Sequence, residues 1–387
     1  MTRQGKFATE VRKWIEDNRI EGLPRDGDVW GPLEVGTPMQ KWVDLVRDRG
    51  WLCASWPPEY GGAGLGPLEV NILDEQFALA GVPRPMLGFG ESLVGPALIA
   101  HASEEQKRRL LPRIINLQDF YCQGFSEPGA GSDLASVRTK GVVDGDVLRI
   151  SGQKIWTSEA ATANWSFVLC RTDFSASKHA GLTFVLVPMT DNNVEVRPIR
   201  QIDGRSDYCE VYFDGAVAEM ADVIDGLGNG WQVTMTTLGA ERAMGYASRH
   251  FEFMLEFRDV LGQLAETERL DDRLVRQELA QAYTLIEVVR SMGMSQMTRL
   301  LQGGPEGPEG TIYKYVWSES HRRMGRHYLN AIGARSTFRA DEESYTLSAA
   351  QDTLFLGEGE TIYAGASEVQ RNIISERLLG LPKERKA

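Results

Sequence analysis

The stretch Tyr121-Cys-Gln-Gly-Phe-Ser-Glu-Pro-Gly-Ala-Gly-Ser-Asp133, echoed by Gly152-Gln-Lys-Ile-Trp-Thr-Ser158, decides how the rest of the chain is read. Small and hydroxyl-bearing residues are denser here than an ordinary turn requires. Gly129 and Gly131 carry no Cβ, so the backbone can come close to a bound group. Ser126 and Ser132 set hydroxyls beside free backbone N–H groups, the equipment for holding a polar ring edge or a phosphate. By composition alone the cluster reads as a surface turn followed by a hairpin. Its order points further.

Outward from that stretch, the period of the apolar pattern changes twice. Upstream, Phe7, Val11, Trp14 and Ile15 recur at helical spacing; Trp42, Leu45 and Val46 repeat it, and Leu68 to Leu79 continues it. Gly61-Gly-Ala-Gly-Leu-Gly66 is not a dinucleotide loop, because Trp56-Pro-Pro58 ahead of it cannot be a central strand; it reads as an interhelix loop. Ser103 caps a helix over 104–115. From about Phe120 the pattern is that of strands. Val142 to Ile150 forms two of them around Asp-Gly, with further runs at 167–170, 182–188, 194–199 and 210–213, a spacing that fits a compact barrel or a sandwich. From Gly230 the chain is helical again. Leu274 to Leu301 carries Leu279, Tyr283, Ile286 and Val289 as an apolar stripe, the prolines and glycines of 302–310 interrupt it, and 311–332 is the next helix. The domains expected are 1–119, 120–227 and 228–387.

Composition narrows the function. At 387 residues there is material for two or three domains. A net charge of −12 argues against a nucleic-acid surface. Cys53, Cys122, Cys170 and Cys209 have no paired spacing, and five histidines are scattered, so neither a disulfide framework nor a metal site is indicated. With no bilayer-length apolar run and no signal-peptide pattern, a cytoplasmic location is expected.

Glu127-Pro-Gly-Ala-Gly-Ser-Asp133, Gly152-Gln-Lys-Ile-Trp156 and Ala163-Asn-Trp165 together resemble the flavin-binding middle of the acyl-CoA dehydrogenase family. The resemblance extends to Trp56-Pro-Pro-Glu-Tyr-Gly-Gly62, to Ser367-Glu-Val-Gln-Arg-Asn-Ile373 and to Glu376-Arg-Leu-Leu-Gly-Leu-Pro382. It implies an α+β fold: an N-terminal α domain, a middle β-barrel domain and a C-terminal four-helix bundle. The implied activity is α,β-dehydrogenation of an acyl-CoA thioester to the 2-enoyl-CoA, in fatty-acid or sterol side-chain β-oxidation. FAD takes the β-hydride, and an electron-transfer flavoprotein is the acceptor. That chemistry needs a carboxylate over a weakly acidic C–H, hydrogen bonds to the thioester oxygen, and exclusion of water.

The resemblance also carries roles onto residues. Gln123, Phe125 and Ser126 line the flavin ring, Gly131 and Ser132 approach the cofactor, Ser132 meets the acyl-CoA as well, and Trp156 covers one ring face. Ser158 stands where threonine is commoner, near flavin N5, and Glu368 belongs to the cofactor-binding set. Many members place the base in a Tyr-Glu-Gly-Thr motif, but here the segment is Tyr363-Ala-Gly-Ala366. Others carry it immediately before an arginine near the start of a C-terminal-domain helix, which assigns Glu241 as base and Arg242 as the residue shaping the site and substrate. Ala364 keeps the backbone N–H that polarises the thioester, and Gly365 keeps the backbone slim beside the ligand. Glu358 and Glu360, read as part of a Gly-rich loop, are rivals for the base.

Two family stretches are absent. Arg-x-x-Phe-Gly has no counterpart in 258–276, and Asn330-Ala-Ile-Gly-Ala-Arg335 stands in place of Gln-x-x-Gly-Gly-x-Gly. In the family both help hold FAD across a subunit contact. The departure resembles actinobacterial members that form hetero-oligomers on sterol side chains. The alternatives are a related flavin oxidase or monooxygenase and a non-catalytic partner subunit; a homo- or hetero-oligomer is expected throughout.

Overall fold

The structure is a computed structural model and describes residues 3–24, 27, 29–243, 245–302, 309–338 and 347–383. Its contacts divide the chain into two compact units, Met1–Ile199 with Ser206–Ala240, and Arg200–Arg205 with Glu241–Ala387.

In the first unit, α1 (Arg3–Asn18), α2 (Pro38–Asp48), α3 (Pro67–Ala80), α4 (Gly95–His101) and α5 (Glu104–Ile115) form the helical part. Helix α1 buries Val11 and Ile15, as its spacing demands. Trp14 packs on Trp42 and Trp51 with ring centroids 5.5 and 5.0 Å apart, and the Trp42 indole N–H donates to Pro83 O at 2.7 Å, so the burial leaves no orphan donor. Ser103 and Gln106 close a capping box at the start of α5.

The strands are β1 (Tyr121–Gly124), β2 (Lys140–Asp144), β3 (Val147–Ser158), β4 (Trp165–Arg171), β5 (Leu182–Pro188), β6 (Val194–Ile199), β7 (Tyr208–Glu219) and β8 (Val223–Ile224). They make one sheet in the order β6-β7-β3-β2-β4-β5-β8, with β1 added parallel to β4. The sheet doubles over, bringing β1 near β3 and β5 near β7. From α5, Gln106 donates to Ala221 O and Val223 O, and Arg109 pairs with Asp222 at 2.6 Å, so the helix clasps the β8 edge. The hairpin at Asp144 forms as its turn chemistry predicts. Strand β1 lies inside the stretch that composition alone reads as a turn.

In the second unit, α7 (Gly245–Ala265), α8 (Arg273–Leu301), α9 (Glu309–Ile332) and α10 (Ala349–Glu360) pack as a ring of four, followed by α11 (Ser367–Ile373). Helix α6 (Gly230–Ala243) bridges the sequence boundary of the two units. On α8 the buried stripe is Leu279, Ala282, Ile286 and Val289, while Tyr283 is 45% exposed. The small alanine, not the tyrosine, occupies the inward position at 3.6-residue spacing. A second correction concerns Glu358 and Glu360, which lie on α10 and not in a loop. The glycines there allow close helix packing. A Cβ on Gly325 would come 2.6 Å from Leu354 Cα, and one on Gly357 would come 2.9 Å from Arg322 Cα. The interruption after α8 falls on 303–308, outside the described residues.

The four cysteines are buried free thiols. Among the described residues no His/Cys/Asp/Glu cluster could hold a metal, and no helix is long and apolar enough to cross a membrane.

Candidate functional site

In the first unit the deciding stretch is built around a buried cation. Lys154 on β3 is 0% exposed, and its ammonium donates to Phe125 O at 2.9 Å, Glu127 Oε1 at 2.9 Å and Leu169 O at 2.8 Å. Three acceptors and no facing donor fix it as the charged form. Glu127 also accepts from the backbone N–H of Arg138 and of Thr139, each at 2.7 Å. Burial works to raise the Glu127 pKa, yet Lys154 and these donors together hold it below the ordinary carboxylate range. Burial pulls the Lys154 pKa down, and Glu127 opposes that. The pair pins the turn in which Glu127 and Ala130 exchange backbone hydrogen bonds of 3.0 Å. No role is assigned to Lys154 or Glu127 from the sequence. The legible signal is phase: Lys154 shares the inward, even-numbered register of Leu148 and Ile150, where a lysine has to find partners.

Beyond Lys154 the ladder with β7 slips by one residue, Lys154 opposing Val211 and Thr157 opposing Cys209. The extra residue is a bulge, and Trp156 within it has φ +59, a conformation that bulky side chains seldom adopt. The bulge turns the indole outward, 57% exposed, with its edge toward Tyr208 at 6.2 Å. Ser158 is half-buried at the strand end. Ile155 N donates to Ser126 O at 3.0 Å, so the bulge and the Ser126 turn are one piece. Gln123, opposite Phe167 in the parallel pair, has its Nε2 buried without a hydrogen-bond partner. The Phe125 ring instead packs edge-on against Phe167 and Phe184, at 5.3 and 6.1 Å, which leaves only its backbone for a ligand. Gly131 and Ser132 are exposed, and a Cβ on Gly129 or Gly131 would meet no atom within 4 Å. Among the described residues nothing requires glycine there. An orphaned amide donor, an outward indole and an open glycine turn are the features a flat polar ring with a phosphate tail would use, so this region fits FAD.

Against the same turn lies a cavity of about 460 Å³ lined by Glu127 to Ala130, Arg138 and Gln153 among others. A second, of about 430 Å³, shares Arg138 and adds Arg171, Phe174 and Lys178. Arg171 spends its guanidinium on Val137, Ala135 and Lys178 carbonyls, so it stiffens the wall.

In the second unit the Thr361–Ala366 turn carries two left-handed residues, Ala364 at φ +50 and Gly365 at φ +93. Gln370 Nε2 donates to Gly365 O at 3.1 Å and Ala364 O at 3.4 Å; a Cβ on Gly365 would strike that nitrogen at 2.1 Å. Glu368, in the first turn of α11, is exposed and lies 3.7 Å from Arg371. Of the rival carboxylates, Glu358 pairs with Arg326 at 2.7 Å at the surface. Glu360 is wholly buried and accepts from His321 Nδ1 at 2.6 Å, while His321 Nε2 donates to Glu256 at 2.8 Å. Burial works to lower the His321 pKa, but hydrogen bonds to Glu256 and Glu360 push it up to about 9. Glu241 and Arg242 lie in the last turn of α6; their side chains are outside the described residues.

Comparison with known proteins agrees with this architecture. Residues 2–118, 122–216 and 228–379 match the family models for the N-terminal, middle and C-terminal domains of acyl-CoA dehydrogenase. The chain is 37% identical to the acyl-CoA dehydrogenase IpdE1 of Mycobacterium tuberculosis and 35% identical to IpdE1 of Mycolicibacterium smegmatis, in each case over 98% of both chains. Among solved structures, the Tcur3481-Tcur3483 steroid ACAD superposes with a TM-score of 0.82 at 28% identity, covering 98% of both chains. The ChsE4-ChsE5 complex from Mycobacterium tuberculosis does so with a TM-score of 0.79 at 27% identity, covering 99% of both.

Proposed function

The chain belongs to the acyl-CoA dehydrogenase family and is an oxidoreductase acting on acyl-CoA, and from that premise we propose that Glu241 is its base and FAD its cofactor. The observation that carries the cofactor reading is the unpartnered Gln123 Nε2 on β1, three residues before the Ser126 carbonyl that holds the strand bulge turning Trp156 outward. FAD, when bound, supplies the hydride acceptor. Gln123, Ser126, Gly131, Ser132, Trp156 and Ser158 hold and orient it, with Phe125 contributing backbone only and Glu368 contributing from α11.

Glu241 takes the α-proton of the thioester. The case for it is chemical: residue 364 is an alanine, so the tail segment offers a backbone N–H and no carboxylate, and Glu360 is committed to His321. The Ala364 N–H polarises the thioester oxygen, Gly365 keeps that backbone slim, and Arg242 shapes the site and the substrate position. The domain division at 119/120 and 227/228 separates these tasks. Arg138, which lines both cavities, is suited to the phosphates of the CoA moiety, whereas Lys178 at the second is already paired with Asp133.

The kinship with a steroid ACAD and with the two-chain ChsE4-ChsE5 assembly supports a bulky, ring-bearing or branched acyl group and a hetero-oligomer as the working form. Electrons then pass to an electron-transfer flavoprotein in the cytoplasm. Glu241→Gln tests the assignment: flavin and acyl-CoA binding persist, while flavin bleaching by a panel of acyl-CoA thioesters slows by about 10²–10⁴-fold, the range for a lost general base. Undiminished bleaching places the base elsewhere.

A further inference from the structure

The turn that carries Ala364 is clamped at both ends by polar side chains of one helix. At its start, Lys314 Nζ donates to Glu360 O at 2.7 Å and His321 holds the Glu360 carboxylate. At its end, Ser367 Oγ donates to Glu319 Oε1 at 2.7 Å, and Ser367 N donates to Thr361 O at 2.9 Å. Lys314, Glu319 and His321 all belong to α9 and are all buried. The glycine contacts that press α10 onto α9 are what bring His321 within reach of Glu360. Between those ends the backbone is left-handed at Ala364 and Gly365; the glycine adopts this freely, whereas at Ala364 it costs free energy unless the surroundings over-determine it.

His321 is the centre of the clamp. Its ring stacks on Phe253 at 4.2 Å and joins Glu256 of α7 to Glu360 of α10. The other Glu360 oxygen has no hydrogen-bond partner; Arg249 Nη1 stands 3.9 Å away, itself beside Glu252. Losing the imidazole therefore leaves Glu360 with no hydrogen bond to its carboxylate. We propose that His321, acting through Glu360, is a positioning residue that sets the 361–366 turn and so aims the Ala364 backbone N–H. This rests on the reading above, in which that N–H polarises the thioester.

The test uses the full chain and two readouts. In His321→Gln, amide hydrogen exchange at 362–367 rises about tenfold or more, the scale of a lost buried charge-assisted hydrogen bond, while α8 amides keep their protection. In Glu256→Gln, which spares the bond between His321 and Glu360, the rise is about threefold or less. If His321→Gln does not fold, Glu360→Gln, which keeps the shape and removes the charge, takes its place. The second readout is the red shift of 4-dimethylaminocinnamoyl-CoA, whose absorption reports polarisation of its thioester carbonyl, on the flavin-loaded chain. At saturation the red shift collapses in His321→Gln although the probe still binds. Unchanged exchange at 362–367, an equal rise through α8, or a retained red shift overturns the proposal. Wild-type protein that gives no red shift either alone or assembled with its partner chain overturns the functional reading, and the exchange result alone then decides whether His321 holds the turn.

Discussion

The bulge at Trp156 and the turn at Ala364 solve one problem in two ways. Each holds a non-glycine residue in the left-handed region, at φ +59 and φ +50. Each is braced by buried charge. In the first unit the brace is saturated: Lys154 uses all three N–H groups, and Glu127 receives the ammonium and two backbone donors. In the second unit one imidazole is shared by two carboxylates, and one Glu360 oxygen goes without a hydrogen bond. The sheet supplies a rigid ladder on both sides of its brace, whereas the bundle relies on side chains crossing between helices. The lesson is that a ladder lets a strained residue be held by an ion pair whose every donor is met, while the helix-to-turn junction depends on one imidazole whose pKa its two carboxylates push up to about 9.

The largest effect that would sharpen this contrast is expected from Lys154→Met. It strips Glu127 of its cation while keeping volume, costs about 3–5 kcal/mol, and is read as a fallen denaturation midpoint together with lost flavin retention. A small change would mean that the Glu127 turn is held by its backbone donors alone.

Next comes pH. The folded His321 pKa of about 9 lies above its ordinary 6.5, so its contribution is complete below about 6.5 and disappears as pH rises through 9. The urea-unfolding free energy read on the second unit should fall across that window with a slope of up to about 1.4 kcal/mol per pH unit, and His321→Gln should flatten it. A slope that survives the substitution would break the comparison.

A smaller loss is expected from Gly357→Ala, whose new Cβ meets the Arg322 backbone. It should cost about 1–3 kcal/mol in thermal stability. The smallest effect is from Ala364→Gly. Glycine relieves about 1 kcal/mol of left-handed strain but loses nearly as much to added unfolded-state freedom, so the melting temperature should barely move.

Much of the architecture was legible because it depends on local rules. The 182–188 and 194–199 strands, the cap at Ser103 and the long α8 helix each follow from periodicity or capping chemistry within a few residues. The missed elements are those decided by distant partners. Strand β1 exists because β4 offers a parallel edge to it. Tyr283 turns outward because Ala282 fits the bundle interior. The Glu358–Glu360 segment continues α10 because Gly357 just before it lets that helix pack closely on α9, although glycine composition alone reads as loop.

The candidate site divides in the same way. The order of motifs in the sequence determined the family, the position of the stretch proposed to bind flavin and the presence of an alanine at residue 364, since these are statements about residue identity. Only the tertiary structure decided that Lys154 braces Glu127, that Trp156 sits in a left-handed bulge with its ring outward, and that His321 grips Glu360. The physical reason is that buried charges are located by their partners, and those partners lie 27 and 39 positions away along the chain, beyond the reach of any local pattern.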